Sequence, residues 1–142
     1  MPKSEPGEPS PADRCAAEIN ELHQFFEDWL TGTLSETDAA FERVERALGP
    51  RFRLIHPSGA WRSRDDILKG LRRGYGGQPD LTIRIRDVRL RETGESLLLA
   101  TYEEWQEAGD SSDARLSTVL FRRAEEGPNG LRWVHVHETW MP

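Results

Sequence analysis

The residues best suited to acid–base chemistry in this chain are one histidine and two glutamates, His56, Glu103 and Glu138. A histidine titrates near neutral pH, so His56 is a candidate general base. Two carboxyl groups that share one cavity repel each other's charge, which raises the pKa of one of them and offers acid–base chemistry. The alternative is that His56 is a hydrogen-bonded residue at a strand end. The glutamates would then be solvated at a cavity mouth or paired with an arginine.

Two further histidines, His135 and His137, have a spacing that allows both to ligate one metal ion from a strand. A metal site needs a third ligand and usually a fourth, and the only other histidines are His23 and His56. The sequence has no P-loop, dinucleotide-binding glycine motif, nucleophile elbow or zinc motif. It therefore predicts no metal and no cofactor.

The last ten residues, 133–142, are predicted to form a strand that positions some of these groups. Valines alternate with histidines, so Val134 and Val136 are expected to face the core, because burying unpaired imidazoles costs free energy. The same alternation puts Glu138 and Trp140 at the rim of a cavity. The outer face of the strand would then carry Trp133, His135 and His137. Such a face is unusual against bulk water, which predicts a homodimer through this surface.

The long strand predicted for residues 96–106 is ambiguous, because both of its faces carry apolar residues. Either Glu103 and Trp105 face the cavity, or Tyr102 and Glu104 do. The alternation does not decide between the two.

Three helices are expected from three capping signals: Ser10-Pro11-Ala12-Asp13, Ser35-Glu36-Thr37-Asp38 and Ser63-Arg64-Asp65-Asp66. The first helix is predicted to end at Gly32, the second at residues 49–50 and the third at residues 74–77. Strands are expected at 52–56, 81–86, 96–106, 115–123 and the C-terminus. Helices segregated to one face of a strongly curved antiparallel sheet make an α+β fold.

The chain resembles the nuclear transport factor 2-like superfamily in two motifs. One is Ile55-His56-Pro57-Ser58-Gly59 with the following helix start at Ser63, and the other is Trp133-Val134-His135-Val136-His137. The second motif resembles the closing strand of the calcium/calmodulin-dependent kinase II association domain. The superfamily also contains ketosteroid isomerases and SnoaL-type polyketide cyclases. The resemblance implies a cone-shaped α+β barrel with a pocket at its open end.

The resemblance also implies roles for single residues. His56-Pro57 matches the Asp-Pro of ketosteroid isomerases, whose aspartate is the general base. Phe25 stands near the place of the isomerase's oxyanion-hole tyrosine and has no phenol, which argues against that mechanism. Similarity to the kinase association domain puts Glu103 and Thr118 at inward positions.

The predicted cavity contains two carboxylates and one histidine. Trp61, Thr118 and Trp140 are expected to line it as ligand-binding residues. Without an inward arginine its potential should be negative. A neutral or cationic ligand with an aromatic or alicyclic body is therefore expected. Arg53, Arg62 or Arg115 would neutralise the acids if one of them turned inward.

Composition limits the classes of function. A length of 142 residues predicts one domain at residues 10–142, after a disordered tail at 1–9. The formal charge of −6 argues against nucleic-acid binding, and the single Cys15 excludes an intrachain disulfide. No apolar run suits a membrane span or a signal peptide, so a cytoplasmic protein is expected. The preferred hypothesis is a small-molecule-binding homodimer. The alternatives are an isomerase-, cyclase- or hydrolase-like enzyme with His56 as general base, and a non-catalytic oligomerisation module.

Overall fold

Three helices and a six-stranded curved sheet make up the fold, which confirms the predicted α+β class. The computed structural model describes residues 7–142, so the first six residues of the predicted tail lie outside the described residues. In chain order the elements are α1 (Pro11–Leu30), α2 (Asp38–Ala47), β1 (Leu48–Ile55), β2 (Trp61–Ser63), α3 (Arg64–Gly74), β3 (Thr82–Thr93), β4 (Leu97–Ala108), β5 (Ser111–Arg123) and β6 (Leu131–Trp140).

The helices begin where side chains satisfy their first backbone N–H groups. Ser10 and Ser63 each form a reciprocal capping box with the aspartate three residues later. Thr37, rather than Ser35, caps α2 by accepting from the Ala40 N–H group. Helix α1 ends just before Gly32, whose φ of 80° lies in the left-handed region that favours glycine.

The sheet has the strand order β2-β1-β6-β5-β4-β3, and it is curved without closing. All neighbouring strands are antiparallel except β1 and β6, which run parallel. The last strand therefore lies inside the sheet, between the first strand and the β3–β5 meander. Strand β3 runs to Thr93, beyond the predicted end at Arg86, through an irregularity at Asp87, whose φ is 53°.

The hydrophobic core fills the space between α1, α2 and the concave face of the sheet. Its largest fully buried side chains include Trp29, Phe41, Tyr102 and Phe121. The indole N–H of Trp29 donates to the Leu71 carbonyl at 2.7 Å, which ties α1 to α3. This packing holds the two helices at a fixed separation over the sheet.

A bulge in β6 corrects part of the predicted alternation. Leu120 of β5 lies opposite His135, whereas the next residue, Phe121, lies opposite Trp133, so Val134 is an extra residue in β6. Trp133 consequently faces inward and is 2% exposed, so its predicted place on the outer face is wrong. Val134 is only partly buried and does not belong to the core. Beyond the bulge, Val136 is a core residue, as predicted.

Candidate ligand-binding cavity

A cavity of about 370 Å³ lies between α1, α3 and the concave face of the sheet. Most of its lining is apolar, and these side chains come from helices and strands alike: Phe26, Leu30, Phe52, Leu54, Ile67 and Ile83. The volume is in the range of small-molecule sites, which are mostly apolar with a few convergent polar groups. The geometry therefore suits a ligand with an apolar body.

Four polar residues of the cavity, Tyr102, Glu104, Arg115 and Glu138, belong to two rows of neighbouring residues on β4, β5 and β6. Glu104, Arg115 and Trp140 are aligned across the three strands in one row. Tyr102, Ser117 and Glu138 are aligned in the next. Because residues two apart on a strand share a face, both rows point to the same side of the sheet. The sequence ambiguity of β4 is thus decided in favour of Tyr102 and Glu104.

A buried ion pair, His23 with Glu104, joins α1 to this wall. His23 Nε2 lies 3.1 Å from Glu104 Oε1, and His23 Nδ1 lies 2.7 Å from the Ile19 carbonyl. Burial alone would lower the pKa of His23, but Glu104 and the Ile19 carbonyl outweigh burial and raise it. Burial alone would raise the pKa of Glu104, but His23 and the Gln106 side-chain amide lower it to about 2. Since both ring nitrogens face acceptors, the charged imidazolium satisfies both of them.

The negative charge of the second carboxyl group, Glu138, is less well stabilised by its neighbours than that of Glu104. Glu138 is 5% exposed, and its ion-pair partner among residues 7–142 is Arg115, whose Nη1 lies 3.4 Å from Oε1. The Arg115 guanidinium is also shared with Asp113, at 3.3 Å. Burial and the nearby Glu104 charge raise the pKa of Glu138 to about 7, although Arg115 opposes the shift. Glu138 therefore exchanges a proton near neutral pH.

The mouth of the cavity is formed by His56, Arg62 and Asp66, next to Trp140. The Ser58 N–H group donates to His56 Nδ1 at 3.1 Å, which leaves the proton of the neutral ring on Nε2. Burial, together with Arg115 and Arg62, lowers the pKa of His56. The Trp140 ring contacts the His56 ring edge-on and lies 4.8 Å from the Arg115 guanidinium carbon.

The predicted site residues fall into two groups. His56 and Glu138 line the cavity, and Trp140 packs beside its mouth. Glu103, Thr118 and Trp61 do not line it, which corrects their expected places. Glu103 and Thr118 face outward because Tyr102 and Glu104 take the inward positions of β4, and Thr118 lies opposite the exposed His137. Trp61 is 60% exposed on the short edge strand β2, near the His135 ring.

The predicted negative potential of the cavity is also corrected. Arg115 and Arg62 both line the cavity, and His23 adds a further positive group. These cations offset the three acids of the lining, Asp66, Glu104 and Glu138, so the polar cluster is close to neutral and has no excess charge that favours a cation.

Sequence reasoning missed His23 as a member of the site, and it named Arg115 only as one of three arginines that would neutralise the acids if turned inward. His23 is four residues after Ile19 and three before Phe26, so the helical spacing already put it on the buried face of α1. Arg115 carried no comparable signal, because an arginine in a strand is ordinarily solvated.

No helix in the described part of the chain is long and apolar enough to cross a membrane. Within residues 7–142, no group of three or more histidine, cysteine or acidic side chains is arranged to hold a metal ion.

Known proteins resemble the chain in sequence. The family described as "Sucrose-6-phosphate phosphohydrolase C-terminal" matches residues 15–142. The chain is 28% identical over 129 residues to sucrose-phosphatase 1 of Nicotiana tabacum, an alignment that covers 89% of this chain and 30% of that protein. It is 27% identical over 125 residues to the probable sucrose-phosphatase 2 of Arabidopsis thaliana, with 87% and 29% covered. The chain thus spans about 30% of the length of these relatives.

Solved structures confirm the predicted superfamily. An NTF-2 like protein of unknown function from Pseudomonas aeruginosa has a TM-score of 0.81 and 27% identity, covering 91% of this chain and 99% of that one. The calcium/calmodulin-dependent kinase II hub of S. rosetta has a TM-score of 0.72 and 14% identity, covering 99% and 100%. A putative ketosteroid isomerase from Shewanella frigidimarina has a TM-score of 0.64 and 12% identity, covering 91% and 98%. The last two identities are low enough that these likenesses show the fold alone.

Proposed function

The chain belongs to the sucrose-6-phosphate phosphohydrolase C-terminal family and has the nuclear transport factor 2-like fold, and we propose that it binds a small molecule in its cone-shaped cavity. The observation that carries this proposal is the apolar cavity of about 370 Å³ with His23, Glu104, Arg115 and Glu138 gathered on one wall. A fold of this kind hosts many functions, so the argument rests on the site rather than on the family.

The apolar lining favours a ligand with an apolar ring system over a disaccharide, whose rings carry hydroxyl groups. A sugar exposes hydroxyl groups on all sides, and most of them would face Phe26, Leu30 and the other apolar side chains without a hydrogen-bond partner. The phosphatase activity in the relatives' names belongs to proteins that have about 70% of their length outside the matched part. Sucrose and sucrose 6-phosphate are therefore comparison ligands in the tests below.

Gly70 of α3 offers a test of binding that does not rely on damage to the fold. It lines the cavity, lies in the middle of a helix, and has no heavy atom within 4 Å of the position of an added Cβ. Gly70→Leu is expected to obstruct the cavity and abolish ligand binding. It should also stabilise the protein by about 0.5–1 kcal/mol, because glycine is a poor helix former. Calorimetric titration and urea unfolding measure the two effects.

The matched control is Lys69→Leu, which adds leucine at the neighbouring exposed position of the same helix. Binding should be unchanged in this variant. If ligands that stabilise the wild type bind equally well to Gly70→Leu, they bind outside the cavity and the proposal fails.

The outer face of the sheet is the proposed surface for self-association. His135 and His137 lie on it, together with Leu116, which is 45% exposed, and Trp61 on the edge strand. Solved neighbours of the same fold include kinase hub domains, which is consistent with self-association. We expect a homodimer through this face. Trp133 does not contribute to it, because its side chain faces the core.

Sedimentation equilibrium should give a dimer at micromolar concentration, and Leu116→Asp should shift the population to monomer. Protonation of His135 should weaken the dimer, because it places charge in the interface. Burial, His137 and Arg53 lower the pKa of His135, so the weakening is expected only on acidification towards pH 5. A wild-type monomer, or a dimer that Leu116→Asp leaves intact, contradicts this interface.

An enzyme remains the second candidate, and one observation favours it. His56 and Glu138 line the same cavity, and the pKa of Glu138 is raised to about 7 by burial and by Glu104, which suits proton transfer. An isomerase-, cyclase- or hydrolase-like reaction with His56 as general base would need both groups. Turnover that survives both His56→Asn and Glu138→Gln would remove this candidate. The third candidate is a non-catalytic oligomerisation module. In that case the protein forms dimers, and no ligand binds in the cavity that Gly70→Leu obstructs.

A further inference from the structure

The two oxygens of the Glu138 carboxyl group have different surroundings. Oε1 lies 3.4 Å from Nη1 of Arg115, a long contact. No donor within residues 7–142 lies at hydrogen-bond distance from Oε2. Glu104, by comparison, has both oxygens occupied, one by His23 and the other by Gln106. Oε2 is not among the fully enclosed atoms that lack a hydrogen bond, which near this wall are Arg115 Nε and Ser117 Oγ, so it is accessible and a ligand in the cavity can supply its partner.

The groups that face Glu138 decide which of the two carboxyl groups holds a proton. His23 on α1 faces Glu104 at 3.1 Å, and Arg115 on β5 lies between both acids and Asp113. Arg62, Asp66 and His56 stand farther out, at the mouth. Two carboxylates in one water-poor cavity cannot both ionise cheaply. Glu104 has the closer and better-aligned cation, so the proton is retained on Glu138.

We propose that Glu138 presents a carboxylic acid O–H to the ligand, and that the cavity selects a neutral molecule with an apolar ring body and a hydrogen-bond-accepting oxygen, such as a ketone or amide carbonyl. This inference rests on the proposed binding function and specifies the ligand class for the same cavity.

The charges of the wall exclude the other simple classes of ligand. The buried cations of the wall already have acidic partners, His23 with Glu104 and Arg115 with Glu138 and Asp113, so an anionic ligand would have to displace one of them. A cation would have to displace the proton of Glu138 or compete with Arg115. A neutral carbonyl group needs only the O–H donor, and its ring body fills the apolar space beside Phe26 and Ile83.

Four matched bicyclic probes separate these cases: 1-tetralone, 1-tetralol, 1-aminotetralin and tetralin-1-carboxylate. Calorimetric titrations at pH 6, 7 and 8 are expected to show the ketone binding best at pH 6 and roughly tenfold more weakly at pH 8. The loss follows from ionisation of Glu138, whose pKa is raised to about 7 by burial and by Glu104. The alcohol can donate or accept, so its affinity should change by less than about threefold.

Glu138→Gln keeps an N–H donor at every pH, so ketone binding should become independent of pH in this variant. Glu103→Gln is the matched control, since it removes a carboxyl group from the outer face of the sheet and should keep the tenfold change.

The outcomes separate the inference from the proposed function. Ketone binding that is independent of pH in the wild type overturns the inference and leaves small-molecule binding intact. A pH dependence that persists in Glu138→Gln also overturns it, because another group such as His23 then titrates. If none of the probes, sucrose or sucrose 6-phosphate binds at any pH, the binding function fails together with the inference. The wild-type series with the ketone–alcohol pair remains decisive even if Glu138→Gln does not fold.

Discussion

Replacing Glu18 by alanine is expected to lower the free energy of unfolding by about 3 kcal/mol or more. Glu18 lies on α1, is fully buried, and is the acceptor for three other parts of the fold. Two nitrogens of Arg43 on α2 donate to its two oxygens, at 2.7 and 3.2 Å. The Asn129 amide and the Trp133 indole N–H donate to it as well, each at 2.9 Å. Without the carboxylate, the buried Trp133 N–H loses its acceptor, and Arg43 loses the closer of its two acidic partners.

Urea unfolding measures the loss, and Glu21→Ala is the control. Glu21 is one turn further along α1, is more than half exposed, and lies 3.6 Å from the same arginine. Its removal should change the free energy of unfolding by less than about 1 kcal/mol, as is usual for an exposed ion pair. Equal effects of the two substitutions would contradict the role given to Glu18.

Replacing Glu138 by glutamine is expected to stabilise the protein above pH 7 and to have no such effect near pH 4. Burial and Glu104 raise the pKa of Glu138 from 4.5 to about 7 in the folded state. From pH 4.5 upward the unfolded chain loses this proton while the folded chain keeps it, so stability falls until the folded group ionises near pH 7. At about 1.4 kcal/mol per pKa unit, the loss is on the order of 3 kcal/mol. Glutamine never ionises, so the variant avoids this loss.

Urea unfolding of the wild type and of Glu138→Gln from pH 4 to pH 8 tests this prediction. The quantity to compare is the difference between their free energies of unfolding at each pH, because the effects of distant groups cancel in it. The difference should grow between pH 4.5 and 7 and then remain constant. Glu103→Gln, on the outer face, should give a flat difference. A flat difference for Glu138→Gln would mean that Arg115 compensates the Glu138 charge fully.

The fold was more predictable from the sequence than the site. Capping hydroxyls at Ser10 and Ser63 and the apolar stripe of α1 are local signals, and each led to the correct element. The direction of side chains in strands depends on pairing between distant segments, which no local pattern records. The bulge at Val134 arises from the register between β5 and β6, and it turned Trp133 inward against the simple alternation.

The same reason limited the prediction of the cavity. A raised pKa in a shared pair of acids was one of two interpretations of Glu103 and Glu138, the other being solvated or arginine-paired acids, whereas the structure brings Glu104 close to Glu138. On β4 both faces carry apolar residues, so only the burial of Ala100, Tyr102 and Glu104 settles which face is inward. Arg115 belongs to the site because it lies opposite Glu104 in the pairing of β4 with β5. That pairing depends on the register of the two strands, which the amino-acid composition does not reveal.

The place of β6 inside the sheet has a consequence for the order of assembly. Its neighbours are β1, about 80 residues earlier in the chain, and β5, and the β1–β6 pair joins Arg53 to His135. Before β6 forms, β1 and β2 have no hydrogen-bonded connection to the β3–β5 meander. On the ribosome, the helices and the meander would therefore emerge before β6, the strand that unites them. Such a high contact order predicts slow folding, with the edges of β1 and β5 open to mispairing until β6 has emerged and paired with them.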